Sequence, residues 1–205
     1  MTGGRALLRE LKAATADLHA EAECYVRILD ATALPEDYAR YLRAMHGFHA
    51  PLERAFAEHA GLTAVHFDAA ARRKSHLARR DLAALGDTAR TPECPGVPEL
   101  AARMDLPTAL GVAYVLEGST LGGRFVLARL PPVLAALRGR ATAFLDGYGD
   151  QTGLRWLAFG ALVEGHGAAD PAALVDYDVA ADSRRRSGDV AIDIEITVED
   201  EYRST

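Results

Sequence analysis

The amino-acid sequence predicts an all-α protein, and three observations carry that expectation. The run from Arg5 to Leu29 contains neither Gly nor Pro and is rich in Ala, Leu, Glu and Arg, residues suited to helix. Later segments repeat apolar residues at three- and four-residue steps. No strand-type alternation occurs before residue 188. A chain of 205 residues makes one domain with room for a buried core.

The first helix is expected over Arg5–Leu29, with Leu7, Leu11, Ala14 and Leu18 on its apolar face. Steps of seven and eleven residues return to nearly the same face of a helix. Lys12, His19 and Glu23 therefore form a stripe. A carboxylate four residues after a histidine can hydrogen-bond or pair with its imidazole. The same spacing also suits a surface histidine with a helix-pair partner.

A second helix starts at Pro35, whose ring fits a first turn. Tyr38, Tyr41, Leu42, Met45, Phe48, Leu52 and Phe56 form its apolar face, and Pro51 should kink it. His46 and His49 are three apart, a spacing that could hold metal, but the segment supplies no third ligand. A third helix is expected over 68–85, with Arg72, Arg73, Lys74, Arg79 and Arg80 on a solvated face. That cluster could meet an acidic partner protein by charge complementarity. Thr91–Pro98, with three prolines and a glycine, reads as a loop.

Helices follow at about 107–130 and 150–164, joined through a turn-rich hinge at Gly147–Gly149. The first of these carries Gly118, Gly122 and Gly123 inside the apolar run Leu110–Leu130. Gly in a helix interior costs about 1 kcal/mol relative to Ala. A chain accepts that cost where something approaches the backbone closely, or where the helix bends. The Gly118–Gly122 spacing equally suits a tight helix–helix crossing.

The tail breaks the pattern. Arg184–Arg186 and Gly188 interrupt any helix, while Val190, Ile192, Ile194, Ile196 and Val198 alternate at strand spacing. A lone strand would be marginal. The expected organisation is a helical domain over 1–170 and an atypical, poorly packed tail over 171–205.

A net charge of −6 argues against a nucleic-acid partner. No apolar run has transmembrane length and the N-terminus lacks a signal pattern, so a cytoplasmic protein with no membrane partner is expected. Cys24 and Cys94 are too few and too distant for a disulfide scaffold or a zinc site.

The stretches LKAATADLHAEAE (11–23), PEDYARYL (35–42), RRKSHLARRDLAALG (72–86), ALGVAYVLEGSTLGGRFVLARL (109–130) and FLDGYGDQTGLRW (144–156) resemble bacterial haem oxygenases. The likeness is greatest to the branch that makes biliverdin alongside bacteriophytochromes, and it covers roughly residues 5–165. The resemblance implies a single-domain helical bundle holding haem b between a proximal and a distal helix. It implies oxidation of that haem by O2, with electrons from an external reductase or ferredoxin, to biliverdin, CO and ferrous iron. The implied partners are haem, an electron-donor protein and a biliverdin-accepting bacteriophytochrome.

Under that resemblance His19 is the axial iron ligand and Glu23 orients its other ring nitrogen. Gly118, Gly122 and Gly123 bring the distal backbone close to the haem and steer attack toward one meso edge. Animal members place an aspartate after the first glycine of the motif. Here that position is Ser119, a hydroxyl that can order water but is no acid at neutral pH. Lys12 would pair with a haem propionate, with Tyr114 a second candidate. The family's basic residues on a late helix have no firm counterpart, Arg155 being nearest. Bacterial relatives close with one more amphipathic helix, from which the tail departs.

Two other classes stay open: a non-catalytic haem carrier or sensor, and a same-fold enzyme such as a thiamin-degrading relative. The latter depends on a catalytic cysteine in the bundle core. Cys24 at the end of the first helix and Cys94 in a Pro-rich loop do not suit that role.

Overall fold

A computed structural model describes residues 6–23 and 26–169. Nine α-helices follow in order among these residues: α1 (Ala6–Glu23), α2 (Pro35–Glu58), α3 (Ala60–Ala64), α4 (Ser75–Ala84), α5 (Val97–Arg103), α6 (Leu106–Arg129), α7 (Pro132–Ala135), α8 (Ala143–Asp146) and α9 (Thr152–Ala169). No strand occurs among the described residues. The expected strand pattern at 190–198, the Arg184–Arg186 break, Cys24 and Arg5 lie outside the described residues, as does the side chain of Glu23.

The longest helices begin where local chemistry favours a start. Asp105 caps α6 by accepting a hydrogen bond from the Thr108 N–H at 2.9 Å, and Pro107 occupies its first turn. In α2, Pro35 is at the first position and Asp37 accepts from the Leu34 N–H at 3.0 Å. Pro51 lies inside α2 and withholds a donor from the carbonyl four residues back, that of Gly47. The Cys94 N–H fills that gap at 3.1 Å and ties the 87–96 loop to α2.

Two hydrophobic cores result. Leu7 and Leu11 of α1 join Leu52 and Phe56 of α2, Leu110, Ala113 and Tyr114 of α6, and Phe159 and Val163 of α9. Ile28, Tyr38, Leu42, Met45, Leu82, Leu134 and Leu145 form the second. Each fully buried aliphatic or aromatic side chain stabilises the fold by about 1.5–3 kcal/mol. Helix α6 threads both cores, and every residue from Ala109 to Gly118 is buried, as befits a helix apolar on all sides.

Three expectations need correction. The first helix, described over Ala6–Glu23, does not run on to Leu29, because Arg27–Leu29 forms a separate 3-10 turn. That turn sets Ile28, 2% exposed, into the second core, a burial that outweighs helix propensity. On α1 the inward position belongs to Thr15 rather than Ala14, which is exposed. The 68–85 segment is a 3-10 turn at Ala70–Arg72 followed by α4, and Lys74 between them is buried instead of solvated. Arg72 also turns inward, leaving Arg73, Arg79 and Arg80 exposed. Helices α3, α5, α7 and α8 were not expected; each has seven residues or fewer, and α5 begins at Val97, inside the segment expected as a loop.

Candidate functional site

Helix α1 presents His19 at the edge of its inward face. Leu7, Leu11 and Thr15 are buried along that face, and His19 follows Thr15 by one turn and is half-buried. The Thr15 hydroxyl donates to the Leu11 carbonyl at 2.8 Å, which keeps its polar group satisfied. Lys12 is exposed. Helix α1 is seated on α9 by more than their shared apolar core. The Leu8 N–H donates to Glu164 at 3.0 Å, and a Cβ on Gly160 would stand 2.7 Å from Leu8 Cδ1. Helix α9 in turn packs against α6.

On α6, each residue advances the helix by about 100°. Gly118, Gly122, Ser119 and Gly123 therefore follow one another within about 140° of arc, while Glu117 points away from Ser119. Gly118 and Gly122 are buried and Ser119 is half-buried. The Ser119 hydroxyl lies 3.0 Å from the Leu116 carbonyl, to which it donates. Gly123 faces a different neighbour: a Cβ there would stand 2.7 Å from the Leu145 carbonyl oxygen of α8. Tyr114 is buried in the first core, its ring 5.6 Å from that of Trp156.

Behind the glycine face lies a polar cluster that the sequence reading did not find. Lys74 and Glu117 are 2% and 3% exposed. The Lys74 ammonium donates to Glu117 Oε1, the Leu116 carbonyl and the Tyr148 hydroxyl, each at 3.1 Å. Tyr148 donates to Glu117 Oε1 at 2.7 Å, and Arg72 pairs with Glu117 Oε2. Burial pulls the Lys74 ammonium below its ordinary value, against the pull of Glu117. Burial, then the Glu117 charge, pushes the Tyr148 phenol up, so it stays protonated. One signal could have exposed the cluster: a lone carboxylate in the apolar run 109–130 demands a buried donor.

Arg155 belongs to the rim of this cluster. Its guanidinium donates to the Ala71 carbonyl at 2.5 Å, binds Gln151 at 3.3 Å and lies 4.4 Å from the Tyr148 ring centroid.

The His46–His49 pair leads elsewhere. His49 is buried edge-on to Phe144, with Nδ1 3.5 Å from Glu53 Oε1. Glu53 accepts from the backbone N–H groups of Lys74 at 2.7 Å and Ser75 at 2.9 Å, which caps α4 from a neighbouring helix. No group of three His, Cys, Asp or Glu suited to a metal ion occurs among the described residues. Burial pushes the Cys94 thiol up, which disfavours a thiolate nucleophile. No described helix is long and apolar enough to cross a membrane.

Helix α1 thus carries a half-buried imidazole, and α6 carries buried glycines beside a half-buried hydroxyl. The family model described as heme oxygenase matches residues 5–173. Comparison with curated proteins finds no match.

Proposed function

The chain belongs to the haem oxygenase family, oxidoreductases that take haem as substrate, and we propose that this member opens haem to biliverdin, CO and ferrous iron. One observation carries the reading: the family match runs through both the His19 helix and the glycine-bearing α6. The residues present fit haem, since an imidazole is an iron donor and buried glycines admit a flat ring against backbone. When bound, haem supplies the iron at which O2 is activated and the meso carbon that is oxidised.

His19 would hold the iron, and Glu23 would fix the orientation of the imidazole through its second nitrogen. Gly118 and Gly122 would let the α6 backbone lie close to the group and limit which meso edge is open to attack, with Gly123 keeping α6 seated on α8. Selectivity of this kind comes from steric exclusion, which longer side chains would obstruct. Ser119 orders water for proton delivery, because a hydroxyl cannot itself serve as the acid. Lys12 pairs with a propionate, assisted by Tyr114. Arg155 must release the Ala71 carbonyl to join them, so Lys12 carries the larger share.

Electrons come from an external reductase or ferredoxin, and an acidic donor would meet exposed Arg79 and Arg80. A cytoplasmic location and transfer of biliverdin to a bacteriophytochrome complete the proposal. The test mixes protein, haem, a reductant and air. The Soret band should give way to biliverdin absorbance with release of CO. A stable haem complex that is never consumed would instead indicate a carrier or sensor.

A further inference from the structure

The glycine-bearing face of α6 does not end at Gly122. Steps of seven residues return to nearly the same face of a helix, so Phe125 follows Gly118 and Arg129 follows Gly122 on that face. Helix α8 packs on the opposite side, where Gly123 meets Leu145, a Cβ on Gly147 would meet Thr120, and Arg124 pairs with Asp146. Phe125 is 39% exposed, the one aromatic ring among the large apolar side chains left exposed in the described residues. The Arg129 guanidinium lies over that ring, 3.3 Å from its centroid. A stacked cation holds an exposed ring in one orientation. Side chains on a helix tilt toward its N-terminus, so Phe125 leans back toward Gly122, about 4.5 Å before it along the axis.

We infer that Phe125, braced by Arg129, is a specificity-determining residue that walls the C-terminal end of the glycine-bearing face of α6. Gly118 and Gly122 present no side chain there, and Leu121 stands about 60° to one side of Gly118. At the other end Tyr114, one turn before Gly118, is buried with its ring against Trp156. The bare stretch of helix is therefore bounded by two aromatic rings, about 16.5 Å apart along the axis. Tyr114 is held by the core, whereas Phe125 is held by Arg129 alone among the ring contacts of α6 at this end. A ring at the margin meets a flat group edge-on or in offset stacking. It sets how far the group can slide along α6, and so which part of its rim stays under the helix. The consequence for the meso carbon attacked rests on the haem oxygenase reading; the contact with a bound flat group needs no turnover.

The experiment uses the full chain carrying Phe125→Ala, Arg129→Gln or Arg129→Lys. Ferric haem is titrated into each haem-free protein, and quenching of Trp156, the chain's single tryptophan, reads binding. Phe125→Ala should weaken haem binding roughly two- to tenfold, the loss of one aromatic contact. It should also broaden the ratio of biliverdin isomers under turnover. Arg129→Gln should move both in the same direction by less, because the ring remains but swings freely. Arg129→Lys keeps a cation for the ring and should lie nearer the parent. Both side chains are exposed, so thermal unfolding of the haem-free variants should match the parent. Parent-like affinity with a parent-like isomer ratio in Phe125→Ala overturns the inference. So does a lowered Tm of the haem-free variant with haem binding unchanged, which makes Phe125 a packing residue. A parent protein that binds haem without consuming it sinks the haem-degrading reading alone, since the affinity comparison still decides this one.

Discussion

A Cβ on Gly123 would stand 2.7 Å from the Leu145 carbonyl oxygen and 3.3 Å from Leu145 Cα. Helix α8 therefore lies directly on α6 at this point. Its position is fixed from a third direction, because Asp81 of α4 accepts from the N–H groups of Ala143 at 3.0 Å and Phe144 at 2.8 Å. Gly123 is thus a packing glycine. Its contact with Leu145, and not its angular position about 40° from Ser119, assigns it that role.

Gly123→Ala should accordingly act on stability. The backbone oxygen it meets cannot rotate away, so the helices must part by a few tenths of an ångström, at about 1–3 kcal/mol. For a chain of this size each kcal/mol lowers Tm by roughly 2–4 °C. Thermal unfolding followed by circular dichroism reads the loss directly. A Tm equal to that of the parent would mean that α8 gives way freely.

Gly122→Leu should act on haem chemistry instead. A branched side chain in the sector of Gly118 and Ser119 occupies the room proposed for bound O2 and the porphyrin face. Weaker O2 binding or a changed ratio of biliverdin isomers is expected, read by stopped-flow absorbance and by chromatography of the products. If only thermal stability falls while the isomer ratio holds, Gly122 joins Gly123 as a packing residue.

His19→Ala should remove the axial donor. Biliverdin formation should stop, the haem spectrum should lose its histidine-ligated character, and added imidazole should restore part of both. An unaltered spectrum and turnover in this variant would dismiss His19 as the ligand.

The long helices were legible because their signals are local. Helix α6 was expected at 107–130 and runs Leu106–Arg129, since Asp105, Pro107 and an unbroken apolar run mark it within a few residues. The buried charges were not legible, because their partners are distant in sequence. Lys74 and Glu117 are 43 residues apart, and an Arg-Arg-Lys run reads as solvated until its partner is seen. Capping shows the same limit. Glu53 caps α4, Asp81 caps α8 and Glu164 receives the Leu8 N–H of α1, each from another helix. Periodicity placed His19 on α1, but not at the boundary between its buried and exposed faces. That boundary depends on where α9 lies.

Glu53 makes the acid limb of stability predictable. Burial pushes its carboxyl up, but the nearby His49 imidazole, with donors from Ser75 and the Lys74 backbone, outweighs that and holds it well below the ordinary 4.5. A depressed carboxyl contributes stability that is complete above its unfolded value and is lost as the pH falls through its lower folded value. His49 adds to this from above. Its pKa is lowered, first by burial, so the fold resists a proton that the unfolded chain accepts below the ordinary 6.5. Both groups therefore weaken the fold in the same direction as the solution is acidified. Glu53→Gln should cost about 1–3 kcal/mol near neutral pH, because the cap of α4 is weakened. It should also flatten the stability curve below about pH 5 and deepen the fall attributed to His49, whose protonated form loses the carboxylate that favours it. Urea unfolding across pH 3–8 measures both limbs. A parent-like slope below pH 5 in Glu53→Gln would show that another carboxylate governs acid unfolding.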